Sequence, residues 1–108
     1  CALPIYPLDI HELTQEMNRF VTAKGWYDEN SPRPQTARNL AVSLALESAE
    51  VLECFQWRDE IADKQAFAGE LADVTLYLLQ LASVSGIDLE KAVLNKLETN
   101  YDRSWDLK

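Results

Sequence analysis

All four prolines of this 108-residue chain fall within its first 34 residues, and after them only Gly69 and Gly86 interrupt the sequence. Helix breakers are thereby confined to the start, which leaves the remainder free to form long helices. Apolar residues recur at helical spacing, and the chain shows no convincing strand, repeat or low-complexity tract. Four helices are predicted. The first begins at an Asp9 cap, where DIHE matches a capping box with Glu12, and ends at Gly25, with Ile10, Leu13, Met17, Phe20 and Val21 facing inward. WYDENSPRPQ, residues 26 to 35, reads as a loop. A second helix runs from near Thr36 to about Trp57, a third from about Asp63 to Ser85, and a fourth from an Asp88 cap to about Arg103. Short connections between helices of this length make antiparallel neighbours, so the expected class is an all-α four-helix bundle.

The length suits a single domain over residues 1 to 108, and 47% hydrophobic content supports a core of modest size. Eighteen Asp and Glu against ten Lys and Arg give a net charge of -8, which argues against binding a nucleic acid polymer through its phosphates. A small anion escorted by a metal is compatible with that charge. No apolar run reaches the roughly 18 residues of a membrane span and no signal core follows a charged start, so the expectation is a soluble chain without membrane contact. Cys1 and Cys54 fit no metal-ligand spacing. Cys54 is expected to be a buried free thiol in a reducing, cytoplasmic compartment, and Cys1, standing where a Met would start a chain, is given no role.

The predicted second helix carries a feature that a core-facing helix should avoid. Its apolar stripe runs Leu40, Leu44, Glu47, Val51, Cys54, with an acid in the place of a leucine, and Glu50 lies only about 60° round from it. The third helix does the same: Phe67, Val74, Leu78 and Leu81 are interrupted by Glu70, with Asp73 three residues on. Either pair alone is what a solvated helix face shows by chance. Both together, on neighbouring helices, place four carboxylates in one pocket, where desolvation and mutual repulsion oppose ionisation. A divalent cation resolves that conflict. Without Cys or His the donor set is hard oxygen, which suits Mg²⁺ or Mn²⁺. The di-iron bundles need a Glu-x-x-His on each of two helices, and the single histidine, His11, is in no such motif and is expected to be exposed in the first turn. Glu53 continues the acidic spacing but falls beyond the facing turn, and reads as flanking.

LESAE, then FQW, then ELADVTLY resembles the MazG-like nucleotide pyrophosphohydrolases, and among them the small all-α dCTP pyrophosphatase type. NRFVTAKGW, ARNLAVSLALESAEVLECFQW, ELADVTLYLLQLA and GIDLEKAVLNKLETN follow in family order, so the likeness spans nearly the whole chain. The resemblance implies hydrolysis between the α and β phosphates of a nucleoside triphosphate, yielding monophosphate and pyrophosphate. It also implies that Glu47, Glu50, Glu70 and Asp73 are the metal ligands. Leu46 departs from the EExxE of many family members, as it does in the dCTP type. By the same resemblance Trp26, Trp57 and Tyr77 line the base and sugar pocket, with core or interface packing as the alternative role for the tryptophans. Gln35 stands near where the animal dCTP enzymes carry a histidine, which leaves the base open.

For the phosphates, Lys96, Asn100 and Arg103 share one face of the fourth helix, and Arg38 and Asn39 open the second, where free N-H groups favour anions. The mechanism that follows uses Mg²⁺ held by the four acids, attack of water on the α phosphorus, Lys96 taking up developing charge, and Glu47 as base, with Glu50 as the alternative. The family likeness further implies a homodimer or homotetramer with pockets near the subunit boundary, working in house-cleaning of the nucleotide pool. Two other readings share these residues. One is a non-catalytic helical interaction module with a structural cation; the other is a hydrolase of a different phosphorylated substrate, such as a histidine-pathway nucleotide.

Overall fold

The computed structural model describes residues 3, 4 and 7 to 104, so Cys1 lies outside the described residues. Each helix starts where a side chain can accept from N-H groups that have no partner within the helix. Asp9 accepts from the Glu12 N-H at 2.7 Å while Glu12 Oε1 accepts from the Asp9 N-H at 3.2 Å, a complete capping box that opens α1, Ile10–Ala23. Thr36 accepts from the Asn39 N-H at the head of α2, Ala37–Glu53. Asp63 accepts from the Gln65 and Ala66 N-H groups ahead of α3, Lys64–Val84, and Asp88 from that of Lys91 ahead of α4, Leu89–Asp102.

The ends of α1 and α3 also follow the local chemistry. Gly25 (φ 74) and Gly86 (φ 69) take up the left-handed conformation just past each cap, and the Trp26 N-H reaches Val21 O as the Ile87 N-H reaches Ala82 O. Both are Schellman closures, for which glycine is suited because it lacks a Cβ. The second helix is shorter than expected. It stops at Glu53 and continues as a tight turn, with the Phe55 N-H donating to Leu52 O and the Gln56 N-H to Glu53 O. That turn closes on Trp57 at φ 70, where no glycine is available.

The hub of the fold is α3, which packs against α1, α2 and α4, whereas α1 and α2 do not pack on each other and α4 does not reach α2. Phe55 meets Phe67 edge to face, and Glu50, earlier on its helix, meets Glu70, later on the other. That ordering makes α2 and α3 antiparallel. The core sits between α1 and α3, where Met17, Val21 and Leu79 are buried and Ile10, Trp26 and Leu89 pack around them.

The expected inward stripes are only partly buried. Leu13 and Phe20 on α1 are 41% and 52% exposed, because no helix covers the side of α1 that they occupy. Leu78 on α3 is exposed, and Leu79, Gln80 and Ala82 are buried instead. Cys54 is a free thiol but half-buried, since the helix ends beneath it. By length and composition α3 could cross a membrane, a span that the sequence reading did not expect. The helix carries Glu70 and Asp73 and serves as packing surface for the three others.

The resulting bundle is open. The chain exposes 8781 Å², against about 6,100 Å² for a compact monomer of its mass. Leu46, Leu52, Leu94, Leu97 and Tyr101 contribute to the excess, and α4 buries no residue.

Candidate metal centre

The α2 stripe keeps its predicted orientation. Leu40 is buried, Leu44, Glu47, Val51 and Cys54 are half-buried, and so Glu47 does occupy an apolar place facing α3. Opposite it, Glu70 is half-buried and Asp73 is exposed. One carboxylate oxygen from each of Glu47, Glu70 and Asp73 comes together, all within 4.8 Å of one another. Glu50 stands beside this trio, its carboxyl acting on those of both Glu47 and Glu70. Of the four predicted acids, then, three converge on one point and the fourth borders it.

The electrostatics record the crowding. The Glu47 carboxyl is pushed up to about 7, first by its hydrogen bond with Glu50, then by burial, then by repulsion from Glu50, Asp73 and Glu70. Glu70 is also raised, again by Glu50 first and burial second, with Glu53 contributing from the flank. Glu47 Oε2 and Glu70 Oε2 are both buried without a hydrogen-bond partner. A buried carboxylate oxygen in that condition is costly unless something positive meets it. The donor set is all oxygen, so the residues fit a hard divalent cation.

Beside the cluster lies a cavity of about 650 Å³, in the gap that α1 and α2 leave over α3. Asp73 belongs to both: it faces the cluster and lines the cavity. Trp26, Tyr77 and Gln35 line the cavity, where the base pocket was expected. Trp26 also packs on the core and meets Phe20 edge to face at 5.7 Å, so it serves packing and lining together. Asn39 lines the cavity too, but its Nδ2 donates to Pro34 O at 2.9 Å, which ties the 26 to 35 loop to α2.

Other expected contacts are not brought here. Trp57 is 93% exposed and outside the lining, because α2 ends early and the turn carries the side chain away. Lys96 and Asn100 lie on α4, which packs on α1 and α3, Arg103 caps its C-terminal end in extended conformation, and none of the three lines the cavity. Arg38 is exposed on the first turn of α2, also outside the lining. His11 is exposed, as its position in the first turn predicts. Among the lining residues that escaped the sequence reading are Arg33, Ser43 and Gln80, the last 4% exposed. Gln80 had a legible signal, since it lies seven residues past Asp73 and three past Tyr77, on the same helical face.

Fold and site together define an all-α protein that sets a carboxylate cluster, fit to hold a cation, beside a cavity of small-molecule size. The MazG-like family model matches residues 42–106, the stretch that holds all four acids. Over 104 residues the chain is 33% identical to dCTP pyrophosphatase 1 of Rattus norvegicus, covering 88% of this chain and 56% of that protein. It is 37% identical over 81 residues to a dATP/dGTP diphosphohydrolase of Salmonella phage PMBT28, covering 75% of this chain and 24% of that one. The crystal structure of a pyrophosphatase from Archaeoglobus fulgidus DSM 4304 superposes with a TM-score of 0.67 at 32% identity, covering 92% of this chain and 94% of that chain. The chain belongs to the MazG-like family. It spans about half the length of the curated dCTP relatives it matches.

Proposed function

We propose that this chain is a Mg²⁺-dependent nucleoside triphosphate pyrophosphohydrolase, able to use Mn²⁺, that releases pyrophosphate and a nucleoside monophosphate. The observation that carries the reading is the shared position of Asp73, which joins a three-carboxylate cluster with buried, unpartnered oxygens to a cavity lined by Trp26 and Tyr77. Relatives named for dCTP and for dATP/dGTP support the substrate class.

Glu47, Glu70 and Asp73 would hold the cation, which supplies positive charge for the triphosphate and lowers the pKa of a bound water. Glu50, bordering the trio, would share base duty with Glu47, the alternative that the sequence leaves open. The Glu47–Glu50 pair would take the water proton on a carboxylate oxygen, Glu50 being the member of the pair outside the trio that would hold the cation. A bond forms from the water oxygen to the α phosphorus, and the bond to the α-β bridging oxygen breaks. Trp26 and Tyr77 hold the base by stacking, and Arg33 offers its guanidinium to the phosphates from the cavity wall.

The open bundle supports a homodimer or homotetramer as the working form, with the exposed apolar side chains of α2 and α4 covered by a second copy. A role in the cytoplasmic nucleotide pool is consistent with this chemistry. The test is Glu70→Gln, which should abolish Mg²⁺-dependent pyrophosphate release while the helical circular dichroism is retained. Unchanged turnover overturns the assignment. An interaction module with a structural cation is separated by melting temperature: Mg²⁺ alone would raise it for the module, and dCTP with Mg²⁺ would raise it further for the enzyme.

A further inference from the structure

Gln80 is the buried polar side chain of the described core, and it lines the same cavity as Trp26 and Tyr77. It lies seven residues beyond Asp73 on α3, about 10 Å along the helix axis. A side chain at that distance from the cation centre is placed for the far end of a bound nucleotide.

The polarity of its amide is set by a relay. Gln35 Nε2 donates to the main-chain oxygen of Arg33 at 2.6 Å. A carbonyl oxygen only accepts, so the Gln35 amide cannot be turned over. Its Oε1 therefore faces Gln80, and must receive the Gln80 Nε2 hydrogen, which it does at 2.7 Å. The orientation of Gln80 follows. On its other side the amide stands by the Tyr27 hydroxyl, whose pKa burial raises while the Gln80 amide works to lower it. Tyr27 donates its own proton to Asn18 Oδ1 at 2.6 Å, and Asn18 Nδ2 donates to Ser83 Oγ at 2.9 Å, which anchors the arrangement on α1 and α3. With the nitrogen committed, Gln80 presents Oε1 as a fixed acceptor.

We propose that Gln80, oriented by Gln35, accepts a hydrogen bond from the exocyclic amino group of the base, so that the cavity favours cytosine or adenine nucleotides over those presenting a keto oxygen there. Against a keto group the same atom opposes lone pair to lone pair and leaves two buried acceptors unsatisfied. Anchoring the loop does not need this residue: the Gln35 bond to Arg33 and the Asn39 bond to Pro34 are made without it. The inference rests on the nucleotide hydrolase reading above and names the base chemistry of that site.

The test measures kcat and KM for dCTP, dATP, dTTP and dGTP with Mg²⁺, using the wild-type protein, Gln80→Met and Gln35→Met. The wild type should favour dCTP or dATP over dTTP by about tenfold or more in kcat/KM. Gln80→Met, similar in length but without polar atoms, should bring that ratio to within about threefold, mainly through KM. Gln35→Met leaves Gln80 in place but frees its amide to rotate, and should also lower the ratio; being a loop substitution, it carries the test if Gln80→Met does not fold. A ratio unchanged in the folded variants, with pyrophosphate still released, overturns this inference and leaves the proposed function standing. No pyrophosphate from any triphosphate with the wild type overturns both.

Discussion

The two halves of α3 put one helix to opposite uses. Toward its C-terminal end Leu79 packs with Met17 and Val21 of α1, and Leu79 and Ala82 are buried where exclusion of water stabilises the fold. Earlier along the helix Glu70 and Asp73 meet Glu47 of α2, where the bordering Glu50 first and burial second raise the Glu47 and Glu70 carboxyls and lone pairs are left unpartnered. The first half sets up a binding problem for a cation, and the second keeps the helix in place while that problem persists. The folded metal-free state is therefore expected to be least content where the protein is most useful, and this contrast can be broken or sharpened by experiment.

The largest effect should come from the packed half. Leu79→Ala should cost about 2 to 5 kcal/mol in denaturant unfolding, with or without divalent cation. A loss much below 1 kcal/mol would mean that α1 and α3 do not form the stabilising end. Next comes cation binding: Mg²⁺ at 100 times its dissociation constant should stabilise the wild type by about 2.7 kcal/mol. Glu47→Gln should remove most of that gain while leaving the metal-free protein as stable as before, or more so. An equal gain in the variant would separate the cluster from the metal.

A smaller effect follows from protonation. An ordinary glutamate titrates near 4.5, whereas Glu47 in the folded chain titrates near 7. Between those values the folded state holds more protons than the unfolded one, so this group's contribution makes the metal-free protein less stable as pH rises through that window, and level above it. Glu70, raised as well, adds to the same slope. Unfolding midpoints measured across the window should show the decline without cation and lose it with saturating Mg²⁺, because binding requires the ionised acids. A Glu47→Gln variant should show a shallower decline. The smallest effect lies outside both halves: Trp57→Gly should relieve left-handed strain and raise stability by up to about 1 kcal/mol. A parallel loss of nucleotide affinity would show that the exposed indole takes part in binding.

Helix starts and two of the helix ends were legible because their causes are local. Asp9, Thr36, Asp63 and Asp88 each bond an N-H two or three residues away, and Gly25 and Gly86 act at a single φ angle. The exception, the end of α2, fails for the same reason: nothing in CFQW is a recognised stop, and the turn closes on a tryptophan. The inward place of Glu47 was also legible from the stripe around it. Burial of Leu13, Phe20 and Leu78 was misjudged because periodicity marks a face without saying whether a neighbour covers it.

Periodicity and capping chemistry were enough to establish four helices and an acid of each pair, Glu47 and Glu70, turned inward, since both depend on contacts within one turn of chain. Which acids converge, with Glu50 beside the trio, depends on how α2 and α3 are rotated against each other, and that rotation balances packing along both helices at once. The cavity exists because α1 and α2 each pack on α3 but not on one another, a relation between helices that no local pattern encodes. The Gln80 to Gln35 bond joins residues 45 apart in the chain, and it forms only when the loop, α1 and α3 are all in place.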